Sequence, residues 1–414
     1  MIGHLLDRFR IAATEGSGSL LIALCVNAFG AGMFYPFALL YFTMTTSLSI
    51  GRIGLILTVA TLITLVVTPV TGALVDRLGS RRLVGSSQVL EATGFAVYLF
   101  VSSAATLFIA SLLVTSATRM FYASFSTMIA EREEGADRDR WYGLVGVAQS
   151  LAASVSGFLA SLIIASIGLP GFRAVIALNA SCLLISAILL RRVPPTRRTV
   201  LSESRANGYR SVLGDVAFVR IVASNTLFIL CSMLPGLGLA IYVTDALHAP
   251  LWTVGALGIV QTSLVVGLQM RVIRSVERMR RTQVMQLGGA VWVVACLLFA
   301  GAGALPASPI VPYLFLSVTC FTIAQMLYVP TARSLAASLG PATLQGRYVA
   351  MYEFSWGLAG ALGPALFGVT FDVLPAAPWL ATSMIVVLAM VVLRSAETRM
   401  PGGTSYSIGL DRAA

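Results

Sequence analysis

Apolar residues run through this chain in long stretches that polar or charged residues break at fairly even intervals. Bounding each stretch by charge, or by glycine and proline, gives twelve segments at about 18–45, 51–75, 83–104, 106–130, 141–166, 171–191, 213–245, 252–271, 283–304, 308–333, 345–370 and 376–394. A helix needs about 20 apolar residues to cross a bilayer, so the pattern predicts transmembrane helices 1 to 12. The first stretch is too long, and too free of a small-residue cleavage site, for a signal peptide. It reads as helix 1, preceded by an amphipathic lead carrying Arg8 and Arg10. The expected fold class is an all-α integral membrane protein.

Composition points the same way and removes other classes. Hydrophobic residues fill 57% of the 414 positions and charged residues 11%, against about 25% charged in a soluble domain. Cys25, Cys182, Cys231, Cys296 and Cys320 lie inside apolar runs without ligand spacing, so they read as small core residues rather than a disulfide framework or a zinc site. His4 and His248 stand apart, and no nucleophile–base pair appears at membrane depth, so an enzyme is not expected.

A net charge of +11 would suit nucleic acid until it is mapped onto the segments. All 28 basic residues are arginine. With the N-terminus in the cytoplasm, only Arg52 and Arg173 fall in opposite-side loops and Arg119 inside a span. The rest lie in or beside the cytoplasmic loops and tail, which is the positive-inside pattern. The expectation is therefore a multi-pass protein of the cell (cytoplasmic) membrane with both termini cytoplasmic, its partner the lipid bilayer and not nucleic acid. The longest basic loop divides the chain into an N-terminal six-helix bundle (1–190), a cytoplasmic linker (191–212), a C-terminal six-helix bundle (213–400) and a cytoplasmic tail (401–414). An offset of 206 aligns Met120 with Met326, Tyr122 with Tyr328 and Gly157 with Gly363, as two parallel halves of a transporter would.

Between helices 2 and 3 the chain reads Gly72-Ala-Leu-Val-Asp76-Arg77-Leu-Gly79-Ser-Arg81-Arg82. Gly72 would let two helices approach, Gly79 would permit a tight turn, and Asp76 sits where it can pair with an arginine or a positive helix end. Such a cluster can latch one face of a transporter. The segment resembles the signature loop of the major facilitator superfamily at every position. In the second half the matching loop, from Arg271 to Arg281, keeps Glu277-Arg278 but not the glycines. The resemblance implies a monomeric rocker-switch transporter, with helices 1, 4, 7 and 10 lining a cavity and helices 3, 6, 9 and 12 facing lipid. Length, short loops and Arg119 make it look like the twelve-helix drug–proton antiporters of multidrug efflux. Helix 5 departs from their pattern, since Phe158 follows Gly157 where they carry proline; helix 11 has Gly363-Pro364 at the equivalent place.

Ionisable groups at membrane depth are costly and therefore functional candidates. Glu353, in helix 11, is expected to be the principal protonatable group, Glu91 in helix 3 the second, and Arg119 in helix 4 to tune one of them. Arg333 reads as an anchor. Asn27 and Phe34 share a face of helix 1, Tyr122 lies one turn from Arg119, and Gln325 and Tyr328 share a face of helix 10. Asn225, Gln261 and Trp356 complete the expected substrate cavity from helices 7, 8 and 11.

No phosphate-binding Gly-x-x-x-x-Gly-Lys loop occurs in a chain without lysine, so no cofactor is expected and energy would come from the proton gradient. The first reading is a secondary active transporter working by alternating access, exporting a drug-like, lipophilic or cationic small molecule in exchange for protons. An importer, or a metabolite symporter or uniporter of the same fold, is the alternative. A non-transporting receptor or assembly protein is a third reading from another class, which would need no titratable group at mid-membrane.

Overall fold

In a computed structural model of the chain, residues 17–130, 135–194, 212, 214–339 and 345–397 are described. The N-terminal lead, most of the central linker and the tail lie outside them. The described residues form helices and turns, with no strand among them. Twelve helical rods follow one another: α1 (Ser17–Thr45), α2 (50–78), α3 (Ser80–Tyr98), α4 (Ala104–Ala130), α5 (Gly135–Ile167) and α6 (Leu169–Leu190), then α7 (Val216–Ala246), α8 (Trp252–Val276), α9 (Arg281–Ala304), α10 (Ala307–Leu339), α11 (Gln345–Val373) and α12 (Ala377–Glu397).

Ten of these rods are long and apolar enough to cross a membrane; α2 and α3 fall short by that measure. A 3₁₀ turn at Thr64–Val66 interrupts α2. Arg81, Arg82, Gln88 and Glu91 lower the hydropathy of α3. The hydropathy reading placed Arg81 and Arg82 in a loop, whereas α3 starts directly after Gly79 and makes them first-turn residues. α5 and α10 likewise outrun their apolar stretches, because an intrahelical hydrogen-bond ladder continues through polar residues.

Local chemistry sets the ends. The Ser49 hydroxyl accepts from the Arg52 N–H at 3.3 Å to cap α2, and the Asp215 carboxylate accepts from the Phe218 N–H at 3.0 Å to cap α7. The chain turns between α2 and α3 at Gly79, whose φ of +85° suits a residue without Cβ. Pro235, Pro312, Pro330 and Pro364 lie inside helices, where neighbouring helices can satisfy the freed carbonyls.

The chain forms two units, Met1–Ser202 with Pro250–Ile259, and Glu203–Ala249 with Val260–Ala414. In the first, α1 packs on α5 and α6, α3 on α4 and α6, and α2 on α4. In the second, α7 packs on α11 and α12, and α9 on α10 and α12. The shared scheme extends to single contacts. Gly32 of α1 abuts Ala153 and Ser156 of α5, with Gly157 against the Gly32 carbonyl; Gly238 of α7 abuts Phe367 of α11, with Gly363 against Leu237. The Tyr41 hydroxyl donates to the Tyr98 carbonyl and Tyr242 to that of Phe299, 57 residues apart in each case. The glycines keep the 206-residue offset and the tyrosines do not: Tyr41 follows Gly32 by nine residues and Tyr242 follows Gly238 by four.

These glycines make a testable contrast with the loop motif. A Cβ at Gly32 would overlap Ala153 backbone atoms and Ser156 Oγ, whereas one at Gly72 meets nothing within 4 Å. Gly32→Ala is therefore expected to cost about 1–3 kcal/mol through overpacking and to lower the thermal midpoint by several degrees. Gly72→Ala should leave it unchanged. Gly72 is exposed and, among the described residues of its own unit, has no neighbour close enough to need a glycine. Outward on α6, α9 and α12, Ile188, Val294, Met384 and Val391 are exposed apolar side chains, as a lipid-facing surface requires.

Candidate functional site

In the first unit, Glu91 is 6% exposed on α3, with its Oε1 turned toward α1 and α4. Tyr35 of α1 donates its hydroxyl to that oxygen at 3.0 Å, and Thr118 of α4 approaches it at 3.4 Å. Thr118 has one proton and also contacts the Val114 carbonyl at 2.9 Å, so its donation to Glu91 is shared. No cation pairs with Glu91 among the described contacts. Around it stand Phe34, Phe95 and Tyr98, with Phe34 and Phe95 edge to face at 5.2 Å and Phe34 stacked on Tyr98 at 5.7 Å.

One helical turn before Glu91, Gln88 is fully buried and accepts from the Asn27 amide at 3.0 Å. Its own Nε2 has no partner. An unsatisfied buried donor costs about 1–3 kcal/mol, which makes this position receptive to a polar ligand atom. Asn27–Gln88 and Tyr35–Glu91 thus form two polar bridges between α1 and α3. Arg119, adjacent to Thr118, is half-buried, and none of the described hydrogen bonds or ion pairs involves it. Tyr122 is 63% exposed.

The second unit sorts its candidates differently. Asn225 accepts from the Tyr328 hydroxyl at 2.8 Å and donates to Ser355, tying α7 to α10 and α11. All three residues are fully enclosed, so Asn225 and Tyr328 satisfy each other rather than face an open cavity. Phe34 in the first unit is enclosed in the same way. Gln261 donates to Gln325 at 2.9 Å, joining α8 to α10, and Trp356 is partly buried.

Glu353, placed at mid-membrane by its position in the sequence, is 47% exposed and forms an ion pair with Arg333 at 3.1 Å. Arg333 is thus its partner and more than an anchor. Glu353 thus has a cation beside it without deep burial; Glu91 has deep burial without a described cation.

Of the loop motif, Gly72, Arg77 and Arg82 are exposed, and Gly79 makes the turn. The Asp76 side chain lies outside the described set. Arg81 donates from one guanidinium nitrogen to the Val193 carbonyl at 2.7 Å and the Arg191 carbonyl at 3.4 Å, closing the C-terminal end of α6. In the second unit Arg220 donates to the Ser395 carbonyl at 3.0 Å, and Thr282 donates to Glu397 at 2.8 Å, closing α12.

Tyr35, Gln88, Thr118 and Ser355 are absent from the sequence-based set. Gln88 is legible in retrospect, three residues from Glu91 and so on its face. Among the described residues no group of three or more His, Cys, Asp or Glu could hold a metal ion.

A model of the Major Facilitator Superfamily matches residues 20–364 of the chain. The chain is similar to the multidrug resistance protein MdtH of Edwardsiella ictaluri, 23% identical over 330 residues that cover 78% of this chain and 79% of that protein. It is equally similar to MdtH of Salmonella typhimurium, 23% identical over 333 residues with the same coverage. Among solved structures, a mutant of the nucleoside transporter NupG superposes with a TM-score of 0.76 at 12% identity, covering 91% of this chain and 98% of that one. A bacterial homologue of the human lysosomal transporter Spinster, inward-facing and occupied, gives 0.70 at 13% identity, with 94% and 98% covered. At these identities the structural likeness shows a shared fold.

Proposed function

The chain belongs to the Major Facilitator Superfamily, a match that spans residues 20–364, and from that membership we propose that this membrane transporter is a proton-coupled exporter of lipophilic, cationic small molecules. The observation that carries the proposal is Glu91, a carboxyl group buried among aromatic rings with two hydroxyl partners and no described cation. In such surroundings the few polar contacts decide whether a carboxyl group holds its proton. A proton on Glu91 would let Thr118 accept from it while continuing to donate to Val114. A conformational change that withdraws Tyr35 would alter that balance, which is how alternating access would couple to proton uptake and release. Glu91 replaces Glu353 as the principal carrier, because Glu353 already has a cation beside it.

The unpartnered Gln88 amide and the aromatic rings beside it supply a mixed apolar and polar surface that suits a drug-like substrate. The relatives named for multidrug resistance support this direction of transport. The arginine distribution supports cytoplasmic termini in the cell membrane, and the family membership supports a monomer. A second reading, proton-linked uptake of a polar metabolite, draws on the two amide side chains Asn27 and Gln88, which a wholly apolar substrate would not need.

Proton flux in energised inverted membrane vesicles separates the two. Lipophilic cations are expected to collapse a preset pH gradient in vesicles that contain the protein and not in empty ones. Collapse by nucleosides, peptides or sugars alone would replace the drug reading with the metabolite one. Silence toward every class, in these and in right-side-out vesicles, would remove proton coupling altogether.

A further inference from the structure

A groove of about 520 Å³ lies between α3 and α6, at the end of the first unit where the chain turns at Gly79; small-molecule sites fall in the range of about 300–1,000 Å³. Val89, Leu90, Ala187 and Leu190 form its apolar wall, and Arg81, Arg82 and Arg191 stand on its rim. Arg81 is held in place by the carbonyls it caps. The guanidinium groups of Arg82 and Arg191 are exposed and take part in none of the described hydrogen bonds or ion pairs. No acid offsets them from the two helices that form the groove: Glu91, the one carboxylate of α3, turns inward to Tyr35, and α6 has none.

The outer faces of both helices are apolar where they leave the groove, with Val89 45% and Ile188 56% exposed. An apolar trough that opens onto such a surface, with three cations at one end, calls for a molecule that is hydrocarbon along its length and anionic at its tip. We propose that the groove binds an anionic phospholipid, its phosphodiester among Arg81, Arg82 and Arg191 and one acyl chain along Val89 and Leu190. Basic pockets between membrane helices recognise lipid headgroups by this combination of charge and depth. A soluble phosphate could engage the rim but would leave the apolar wall uncovered. The site stands apart from Glu91 and does not rest on the transport reading.

The full chain in dodecyl maltoside, titrated with phosphatidylglycerol and with phosphatidylcholine, provides the test, with retained lipid counted by native mass spectrometry. The parent is expected to retain phosphatidylglycerol preferentially. The double variant Arg82→Gln/Arg191→Gln should lose about five-fold of that preference per arginine. Arg81 is left in place because it closes α6. The charge-matched control Arg274→Gln/Arg278→Gln, on α8 and the turn after it, should keep the preference. Equal retention of the two lipids by the parent, or equal losses in both double variants, would overturn the proposal. Displacement of bound phosphatidylglycerol by equimolar inorganic phosphate would overturn the lipid assignment in favour of a soluble anion.

Discussion

Glu91→Gln is expected to reduce substrate-driven proton flux to the level of protein-free vesicles while leaving substrate binding within about threefold of the parent. The amide has nearly the size of the carboxyl group and its oxygen can still accept from Tyr35, so the packing between α1, α3 and α4 should persist. What it cannot do is take up and release a proton, and coupling fails at that step. Glu353→Gln is the comparison. Exposed ion pairs contribute about 0–1 kcal/mol, so losing the Arg333 contact should slow transport a few-fold at most. Parent-level flux in Glu91→Gln would sink the assignment, and loss of flux in Glu353→Gln with Glu91→Gln intact would reverse the ranking of the two carboxylates.

The second large effect belongs to Arg119. A guanidinium held at membrane depth with no described partner is expensive, and a fold has little reason to keep it unless it acts. Arg119→Ala is expected to uncouple the protein: downhill substrate efflux would continue, and its dependence on the pH gradient would vanish. The same change should leave the thermal midpoint unchanged or raise it, because a poorly compensated charge is removed. A structural arginine would behave oppositely, with lower stability and an intact pH profile. The paired measurement therefore distinguishes the roles whichever way transport responds.

The sequence alone favours Glu353 over Glu91 for a physical reason. Hydropathy gives depth along a helix and periodicity gives a face, but neither says which helix stands opposite. Arg333 and Glu353 are 20 residues apart on different rods, so their pairing left no trace in either pattern. Phe34 shares a face with Asn27 within the unbroken α-helical part of α1, yet it is sealed among aromatic rings, and in the 3₁₀ turn that follows it is Tyr35 that reaches Glu91. Asn225 and Tyr328 are polar in an apolar helix because each answers the other, which also cannot be seen one helix at a time. The helices themselves, and the turn at Gly79, were legible because they depend on local composition and on the backbone freedom of glycine.

The closures of α6 and α12 bear on how such a protein is made. Arg81, Arg220 and Thr282 all precede the residues they bond, so a nascent chain delivers each donor before the helix end that needs it. The last polar carbonyls of α6 can therefore be satisfied as soon as residue 193 emerges, by a side chain already in the bilayer. Among the described contacts, that end of α6 is closed by residues no later than position 193, so quality control would meet it already capped while the rest of the chain is still on the ribosome.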